Sequence, residues 1–429
     1  MLLNKHKIKT AKILIYSFYI VAGLAYFKSY GFDVSGYSIG RLLGVLGLSG
    51  LALQTVLSSR NKMLEAGIGL DRLSRWHKAN ARATTLFVIL HPLLLFYTYV
   101  SKLNFSFISA FTLFHYFGVA SLIGVLFIVA TALYSVSLKF KYETWKIVHK
   151  LTYAILITAF VHGFFISGNI LYVMPLGYWW EILLAITILS FLAKYTSEKK
   201  IYNITKIKQE TPNVRSVFLK PKDTGIDFKP GQFAFLTFTK SKVHKEEHPF
   251  TISAMPDKSG DLSFSIKESG DFTKTLFDLR VGDRAIINGP YGTFSNYDMK
   301  GPFIFIIGGI GITPAISMIK YMAAQKSKDR VILLYANRTQ KDIAFFDDLE
   351  LIQNSSDFLR VVHVLSEERT NIYKYGIISK ELLESELDYI SFYKYFICGP
   401  APMMRSIKNT LLKLGARSEN IFTEEFALK

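Results

Sequence analysis

Four histidines lie within apolar stretches of this 429-residue chain and form two pairs. His77 and His91 are 91 − 77 = 14 residues apart, and His149 and His162 are 162 − 149 = 13 residues apart. Imidazole at membrane depth is rare and points to a functional site. At about 1.5 Å per helical residue each pair spans roughly 20 Å. Two such helices, running in parallel, predict two haems stacked across a bilayer about 30 Å thick, each held by one histidine from either helix.

The elements that must carry these histidines are apolar segments of membrane length. Six of them, each near the ~20 residues that a spanning helix needs, lie at about 11–30, 38–58, 77–100, 110–137, 146–168 and 177–195. The first is interpreted as a retained membrane helix rather than a cleaved signal peptide. A single buried histidine could merely hydrogen-bond a neighbouring helix, but two pairs matched in depth favour haem ligation.

The net charge of +18 is better explained by membrane topology than by nucleic-acid binding. Lys and Arg cluster before the first segment, in the second-to-third and fourth-to-fifth connections, and after the sixth. The positive-inside rule then predicts that both termini are cytoplasmic. The third and fifth segments consequently run from inside to outside, which places His77 and His149 near the inner face and His91 and His162 deeper toward the outer face.

Two features near these pairs are open. At about 100° per residue, a 14-residue step returns to within about 40° of the same helix face, whereas a 13-residue step ends about 140° away. The fifth segment must therefore be irregular, or hold His149 at its frayed inner end. Arg41 either neutralises a haem propionate or a bound anion or extends to the lipid headgroups. His115 has no partner at ligand spacing and is interpreted as a surface or pocket residue.

The pattern changes after residue 197. Short alternating runs over 201–296, punctuated by Gly and Pro, predict a small antiparallel barrel. From residue 301 onward strands alternate with helices, which predicts an α/β nucleotide-binding domain. The single cysteine, Cys398, excludes a disulfide framework and argues against an iron–sulfur cluster.

The segment HPFTIS at 248–253 resembles the flavin-binding signature of NADPH oxidases and ferric reductases. The resemblance implies that Phe250 stacks on the isoalloxazine, that Thr251 reaches its N5 edge, and that His248 lies near the flavin phosphates. An ordinary barrel strand with a His-Pro turn is the alternative. The resemblance also implies that the flavin pyrophosphate is held by Lys267, Gly270 and Thr273. Two further residues of the HPFTIS motif, Pro249 and Ser253, are implied to bind the flavin.

A second motif, GGIGITP at 308–314, follows an apolar strand and precedes a predicted helix, where backbone N–H groups and the helix N-terminus favour phosphate. It resembles the reductase form that ends in Thr-Pro. CGP at 398–400 resembles the nicotinamide site of the same family, which places Cys398 beside the nicotinamide C4; the alternative is a buried core cysteine. The implied nucleotide-binding residues are Gly308, Gly309, Gly311, Thr313, Pro314, Cys398, Gly399 and Pro400.

Two further residues complete the resemblance. Phe426 in the C-terminal EEF would cover the flavin until nicotinamide displaces it. Arg338, just past a predicted strand, is placed to pair with the 2′-phosphate of NADPH. No acidic residue sits there to take the 2′-hydroxyl of NADH. NADPH is therefore expected to be preferred, with NADH tolerated.

From about residue 11 to Phe426 the chain is similar to compact prokaryotic members of the NADPH oxidase and ferric reductase superfamily. The resemblance implies a multidomain membrane flavocytochrome: a six-helix transmembrane di-haem domain (1–197), an antiparallel β-barrel FAD domain (198–298) and an NAD(P)H-binding α/β domain (299–429). Both soluble domains would be cytoplasmic, at the cell membrane.

The implied activity is electron transfer from NADPH through FAD and two b-type haems to O₂, giving superoxide. Ferric-chelate reduction by the same path and a haem-bearing electron-transfer subunit or redox sensor are the alternatives. Animal oxidases commonly have a second histidine where this chain has Leu95, so Arg41 or His115 would serve the acceptor site. No EF-hand insert or Pro-rich tail is visible, so no obligatory regulatory subunit is expected.

Overall fold

The computed structural model of the protein describes residues 2–102, 112–134, 137, 142–166, 173–195, 199–239 and 246–425, with side chains except at 2–9, 102, 142, 143 and 195. The chain divides into two units, residues 1–196 and 197–429. The helices of the first unit are α1 (Leu2–Tyr30), α2 (Gly36–Ser58), α3 (Lys62–Ile68), α4 (Leu70–Lys102), α5 (Leu113–Tyr134), α6 (Tyr142–His149), α7 (Thr152–Ile166) and α8 (Leu176–Tyr195).

Six stretches in the described part of the first unit are long and apolar enough to cross a membrane, as the sequence predicts. They are Thr10–Tyr30, Gly36–Ser58, Leu70–Ser101, Leu113–Tyr134, Thr144–Ile166 and Leu176–Lys194. Many of their large apolar side chains are exposed, among them Leu14, Ile123 and Leu189. Such exposure suits a lipid environment, because water would not tolerate so large an apolar surface.

Helices α2 and α4 pack closely because α2 presents glycines to α4. A β-carbon on Gly47 would lie 3.0 Å from Val88 Cγ2, and one on Gly50 would lie 2.1 Å from Thr84 Oγ1. In a membrane, helices associate by close packing rather than by the hydrophobic effect, and small residues permit the close approach. The α4 helix, which carries His77 and His91, is thereby held against α2.

The fifth apolar segment is irregular where the 13-residue spacing required it to be. Helix α6 ends at His149 and α7 begins at Thr152. Between them Lys150 N–H donates to Ile147 O and Leu151 N–H donates to Val148 O, both at 3.0 Å. These i→i−3 bonds wind the chain at about 120° per residue instead of 100°. The tighter turn supplies part of the rotation that a regular helix would lack.

The second unit begins with an antiparallel sheet of β1 (Lys199–Thr211), β2 (Val214–Pro221), β3 (Phe233–Phe238), β4 (His248–Thr251), β5 (Leu262–Lys267) and β6 (Arg284–Tyr291), with helix α9 (Asp271–Thr275) between β5 and β6. The strand order is β4-β3-β6-β1-β2-β5. A bridge between Ile252 and Phe264 joins the two edges of the curled sheet. Its interior is filled by side chains such as Phe238, Phe264 and Ile287, none of them exposed. The predicted antiparallel barrel is confirmed.

The rest of the second unit is the predicted α/β domain. It contains β7 (Phe303–Gly308), α10 (Ile312–Ala324), β8 (Val331–Asn337), α11 (Phe346–Ser355), β9 (Leu359–Leu365), β10 (Lys374–Tyr375), α12 (Lys380–Glu386), β11 (Lys394–Cys398), α13 (Ala401–Lys413) and β12 (Ile421–Glu424). All paired strands are parallel, in the order β10-β9-β8-β7-β11-β12. The chain order reverses between β7 and β11, and ligands bind at the carboxyl ends of strands at such a point.

Candidate functional site

The four predicted ligand histidines meet in two pairs, one residue from α4 and one from the fifth segment in each. We call His77 with His149 the inner pair and His91 with His162 the outer pair, after the predicted orientation. The ring centroids are 6.3 Å apart in both pairs, with interplanar angles of 62° and 75°. The predicted match in depth is therefore realised in the tertiary structure.

The spacing within each pair fits a single metal ion between the rings. Two metal–nitrogen bonds of about 2 Å each, and about 1 Å from each nitrogen to its ring centre, sum to roughly 6 Å. Among the described residues no group of three or more His, Cys, Asp or Glu could hold a metal ion. A metal held by two histidines alone must therefore bring its remaining ligands with it. Haem iron does so, because the porphyrin supplies four nitrogens.

The rings of the outer pair are oriented by backbone carbonyls. His91 Nδ1 lies 2.7 Å from Gly40 O, and His162 Nδ1 lies 2.8 Å from Phe114 O. A carbonyl oxygen can only accept, so each Nδ1 carries the hydrogen. The neutral ring then has its lone pair on Nε2, the nitrogen left to bind a metal.

The inner pair has different surroundings. Among the described residues neither His77 Nδ1 nor His149 Nδ1 makes a hydrogen bond of ordinary geometry, although both atoms are buried; the Gln54 backbone nevertheless interacts with the His77 ring. The His149 ring stacks on Trp145 with 4.8 Å between ring centroids, and Gln54 Nε2 donates to the backbone carbonyl of His77 at 3.1 Å. The His149 ring is thus held by aromatic packing, and the helix backbone at His77 is held by Gln54.

Three residues considered for the acceptor site also have defined positions. The His115 ring lies 6.5 Å from the His162 ring, and Thr112 N–H donates to His115 Nδ1 at 3.0 Å, so the neutral His115 ring carries its hydrogen on Nε2. The Arg41 guanidinium lies 4.0 Å from the centre of the Tyr30 ring. Leu95 packs against α2, where a β-carbon on Gly40 would lie 2.9 Å from its Cδ2.

The flavin motif forms strand β4 at the edge of the barrel. His248 stacks on Phe272 with 3.7 Å between ring centroids, and its Nε2 donates to Glu246 Oε2 at 2.9 Å. Phe250 lies nearly parallel to Phe272, at 6.5 Å and 21°. Sequence reasoning missed Phe272 and Glu246. Phe272 lies between Gly270 and Thr273 in the sequence, and this position within the motif could have identified it as a residue of the flavin site.

The remaining flavin residues divide into surface and interior. Thr273 Oγ1 accepts from Ser269 N–H at 2.8 Å and donates to Gly270 O at 3.0 Å, which closes the turn that opens α9. Lys267 ends β5 beside this turn. Ser253 is only 1% exposed, and its hydroxyl bonds those of Ser263 and Ser265. The Ser253 side chain therefore belongs to a buried hydroxyl cluster in the barrel, not to the surface that carries Phe250.

The two glycine motifs of the nucleotide domain form one surface. A β-carbon on Gly311 would lie 2.6 Å from Cys398 O, and one on Gly399 would lie 3.0 Å from Gly308 N. Gly309 has φ +53°, in the left-handed region that favours glycine. Strands β7 and β11 are adjacent, so GGIGITP and CGP meet at their carboxyl ends. Gly309, beside which a β-carbon would meet nothing within 4 Å, lies just before α10, whose first turn contains Thr313 and Pro314; the N-terminus of such a helix favours phosphate.

Cys398 itself is wholly buried at the end of β11. Burial, with a smaller contribution from the Glu424 carboxylate, raises the pKa of its thiol well above the ordinary value. The thiol is therefore neutral and not nucleophilic. Its place beside nicotinamide stays a prediction. Phe426 lies outside the described residues.

Arg338 follows β8 at the carboxyl edge of the sheet and is 77% exposed along its side chain. Its Nε lies 3.6 Å from Glu367 Oε1, and Glu367 N–H donates to Arg338 O at 2.9 Å. The expectation that no acidic residue sits there is wrong. The parallel pairing of β8 with β9 brings Glu367 beside Arg338, although the two residues are far apart in the sequence.

A residue that sequence reasoning missed joins the barrel to the nucleotide domain. Ser317 on α10 is wholly buried, and its hydroxyl donates to Ala254 O at 2.6 Å. Gly231 N–H donates to the same hydroxyl at 3.4 Å. Both barrel loops are thus tied to the helix that opens with the glycine motif. A serine within a helix carries no sequence signal for such a role.

Models of three protein families match successive parts of the chain. They are a ferric reductase like transmembrane component over residues 43–160, an FAD-binding domain over 200–295 and an oxidoreductase NAD-binding domain over 305–409. The matched ranges contain the outer pair's His91, the flavin motif and the nucleotide motifs.

Curated relatives match about half of this chain. The reductase component of propane 2-monooxygenase from Rhodococcus jostii is 29% identical in an alignment of 235 residues that covers 52% of this chain and 62% of that protein. A flavohemoprotein from Bacillus anthracis is 28% identical over 241 residues, 52% of this chain and 60% of that protein. The chain thus spans roughly three fifths of the length of these relatives.

Among solved structures, a flavohemoglobin from Malassezia yamatoensis with bound FAD and heme gives a TM-score of 0.54 at 18% identity, covering 92% of this chain and 99% of that one. This likeness concerns the fold alone. The six apolar helices, the FAD-binding curled sheet and the parallel nucleotide-binding domain occur here in one order. This succession of three matched domains is the domain architecture of the NADPH oxidase and ferric reductase superfamily.

Proposed function

We propose that the protein is a transmembrane NADPH oxidase that passes electrons from cytosolic NADPH to O₂ on the outer side of the membrane, producing superoxide. The observation that carries the proposal is the two histidine pairs, each with 6.3 Å between ring centroids and, within the described part of the chain, without a third protein ligand. When bound, FAD and two b-type haems would convert hydride into single electrons and carry these across the bilayer.

The chain's own residues bind and orient these groups. The backbone at Gly309, where a β-carbon would meet nothing within 4 Å, and the N-terminus of α10 would hold the nucleotide diphosphate. Arg338 would hold the 2′-phosphate. Phe250, with the turn around Gly270, would hold the flavin. The inner pair and the outer pair would each hold one haem.

The proposed orientation follows from the distribution of basic residues. Arg60, Lys62, Arg72 and Arg75 lie between α2 and the apolar part of α4, on the same side of the bundle as the N-terminal lysines. The positive-inside rule favours a cytoplasmic location for this side and for both soluble domains. A protease-protection assay on sealed vesicles tests it, because cytoplasmic domains are digested only in inside-out vesicles.

Support for O₂ as the acceptor comes from the surroundings of the outer pair. His115 carries its hydrogen on Nε2, since Nδ1 accepts from Thr112, and its ring lies 6.5 Å from that of His162. A hydrogen-bond donor in this position can stabilise a superoxide anion. With both histidines of the outer pair engaged in holding a haem, that group would supply electrons to O₂ rather than a binding site for it.

Ferric-chelate reduction is the second candidate, and the presence of Leu95 favours it. Leu95 packs on α2 and offers no hydrogen bond where animal oxidases commonly have histidine. The positive charge of Arg41 would attract an anionic Fe(III) chelate as well as it would attract superoxide.

The test uses purified protein loaded with FAD and haem, without Ca²⁺ or a partner protein. We expect a bis-histidine haem spectrum and NADPH-driven reduction of cytochrome c that superoxide dismutase suppresses. His91→Ala and His162→Ala should abolish superoxide and leave NADPH oxidation by a soluble dye intact. Fe(III)-chelate reduction without superoxide would establish the second candidate. A requirement for a partner would refute the expected independence of a regulatory subunit.

A further inference from the structure

The outer pair has an arrangement that recurs on two separate helices. His91 Nδ1 bonds Gly40 O at 2.7 Å and His162 Nδ1 bonds Phe114 O at 2.8 Å. Four residues after each accepting carbonyl the helix has a glycine, since 44 − 40 = 4 and 118 − 114 = 4. The acceptors lie on α2 and α5, whereas the histidines lie on α4 and α7.

Each glycine leaves room for the histidine ring. A β-carbon on Gly44 would lie 2.8 Å from both Cε1 and Nδ1 of His91, and one on Gly118 would lie 2.7 Å from the same atoms of His162. The Cα–Cβ bond of a helix tilts toward the N-terminus, so the side chain at position i+4 overlies the carbonyl of residue i. Glycine at i+4 therefore opens that carbonyl to an N–H group from another helix.

We propose that Gly44 and Gly118 are positioning residues for the outer haem, an inference that rests on the proposed haem ligation. Each glycine admits the hydrogen bond through which a ligand histidine is oriented. Such a bond to the second ring nitrogen raises the basicity of the ligand. A more basic axial ligand stabilises ferric iron and lowers the reduction potential, since axial ligation and its hydrogen bonds set that potential.

The inner pair supplies an internal contrast. Among the described residues His149 Nδ1 has no hydrogen-bond partner, and His77 Nδ1 has none of ordinary geometry, although the Gln54 backbone interacts with its ring. The inner ligands therefore receive less of this increase in basicity. The chain thus distinguishes its two haem sites, and the site nearer the proposed acceptor is the one disposed to give up its electron.

With a methyl group at either glycine, the histidine ring could not keep both its hydrogen bond to the carbonyl and its bond to the iron. The ring would have to move away from the helix, and it would then lose either its hydrogen bond or its alignment with the iron. In haem-free protein the ring can move at little cost, because it is the end of a side chain. The substitution should therefore affect haem ligation more than folding.

The experiment compares full-length, FAD- and haem-loaded Gly44→Ala and Gly118→Ala with the unsubstituted protein. Flavin content and helicity measure folding; haem content, the ferric low-spin electron paramagnetic resonance and a redox titration measure the sites. We expect one low-spin signal to change, the same signal that His91→Ala removes. The potential of that haem should rise, or its occupancy should fall, with flavin content retained.

Two control substitutions separate ligand positioning from crowding. A β-carbon on Gly47 would lie 3.0 Å from Val88 Cγ2, which crowds the same α2–α4 contact without touching histidine. Gly163 is adjacent to His162, yet its β-carbon would meet Leu48 Cδ2 at an ordinary 3.6 Å. Gly47→Ala and Gly163→Ala should leave both haem signals unchanged.

Unchanged resonance and potential in haem-loaded Gly44→Ala and Gly118→Ala would overturn this inference and leave the proposed function standing. An equal change in Gly47→Ala would also overturn it, because the effect would then be general packing. If Gly44→Ala loses flavin and helicity, Gly118→Ala decides the matter on the other helix pair. An unsubstituted protein that binds no haem would instead overturn the proposed function, and this inference with it.

Discussion

Nucleotide preference should depend on Arg338 and on the carboxylate beside it. The Arg338–Glu367 pair has 3.6 Å between Nε and Oε1, with side chains 77% and 60% exposed. Exposed ion pairs contribute about 0–1 kcal/mol, so a 2′-phosphate can displace Glu367 with little loss. A hydrogen bond to a charged group contributes about 1.5–3 kcal/mol. Arg338→Ala should therefore lower kcat/KM for NADPH roughly 10- to 150-fold.

The carboxylate should act in the opposite direction. Glu367→Gln removes the competing negative charge and should raise kcat/KM for NADPH by at most about fivefold, the equivalent of about 1 kcal/mol. The kcat/KM for NADH, which has no 2′-phosphate, should change less than about threefold in either variant. This factor corresponds to less free energy than one ordinary hydrogen bond contributes.

The assay is steady-state dye reduction by the flavin- and haem-loaded protein with each nucleotide. Arg330 is the matched control, because it is exposed and precedes β8 at its amino end while Arg338 follows the carboxyl end. Arg330→Ala should leave both nucleotides unaffected. Equal losses for NADPH and NADH in Arg338→Ala would refute recognition of the 2′-phosphate by this residue.

Three other predictions concern buried groups of the second unit. Ser317→Ala leaves Ala254 O without its donor at 2.6 Å and should destabilise the second unit by about 1–3 kcal/mol. The midpoint temperature for thermal release of FAD should fall by a few degrees. An unchanged midpoint would refute the role of Ser317. Burial lowers the pKa of His363 from 6.5 to about 4, and neither ring nitrogen has a hydrogen-bond partner among the described residues. The folded protein with a neutral His363 is favoured above pH 6.5. As the pH falls from 6.5 toward 4, the free energy of unfolding decreases by up to about 3 kcal/mol. His363→Phe should weaken this decrease in a series of denaturation curves at falling pH, and an unaltered decrease would contradict this account. The raised pKa of the wholly buried Cys398 thiol predicts that iodoacetamide labels it only after denaturation, so labelling of the folded, flavin-loaded protein would show the thiol to be accessible.

Local patterns in the sequence were sufficient for the architecture. Six apolar segments, the alternating runs after residue 197 and the strand–helix alternation after residue 301 each reflect the burial of adjacent residues, and each was confirmed. The glycine motifs at 308 and 398 were recognised separately and meet in the structure because β7 and β11 are neighbours. The two histidine pairs could be matched by depth, because helix rise depends only on residue number.

Other features depended on long-range contacts that no local pattern encodes. Glu367 reaches Arg338 through strand pairing, and Ser317 reaches Ala254 across two subdomains. The 13-residue spacing required an irregular segment, but the helix end at His149 became visible only in the structure.

The spacing of the histidines along the chain predicted two haem sites, since that spacing depends only on helix rise. The flavin- and nucleotide-binding residues were implied by the resemblance of short motifs to those of NADPH oxidases and ferric reductases. The hydrogen bonds that orient His91 and His162 were decided by tertiary structure alone. They join helices whose relative rotation follows from side-chain packing, and a glycine opposite an imidazole can be recognised only when both helices are in place.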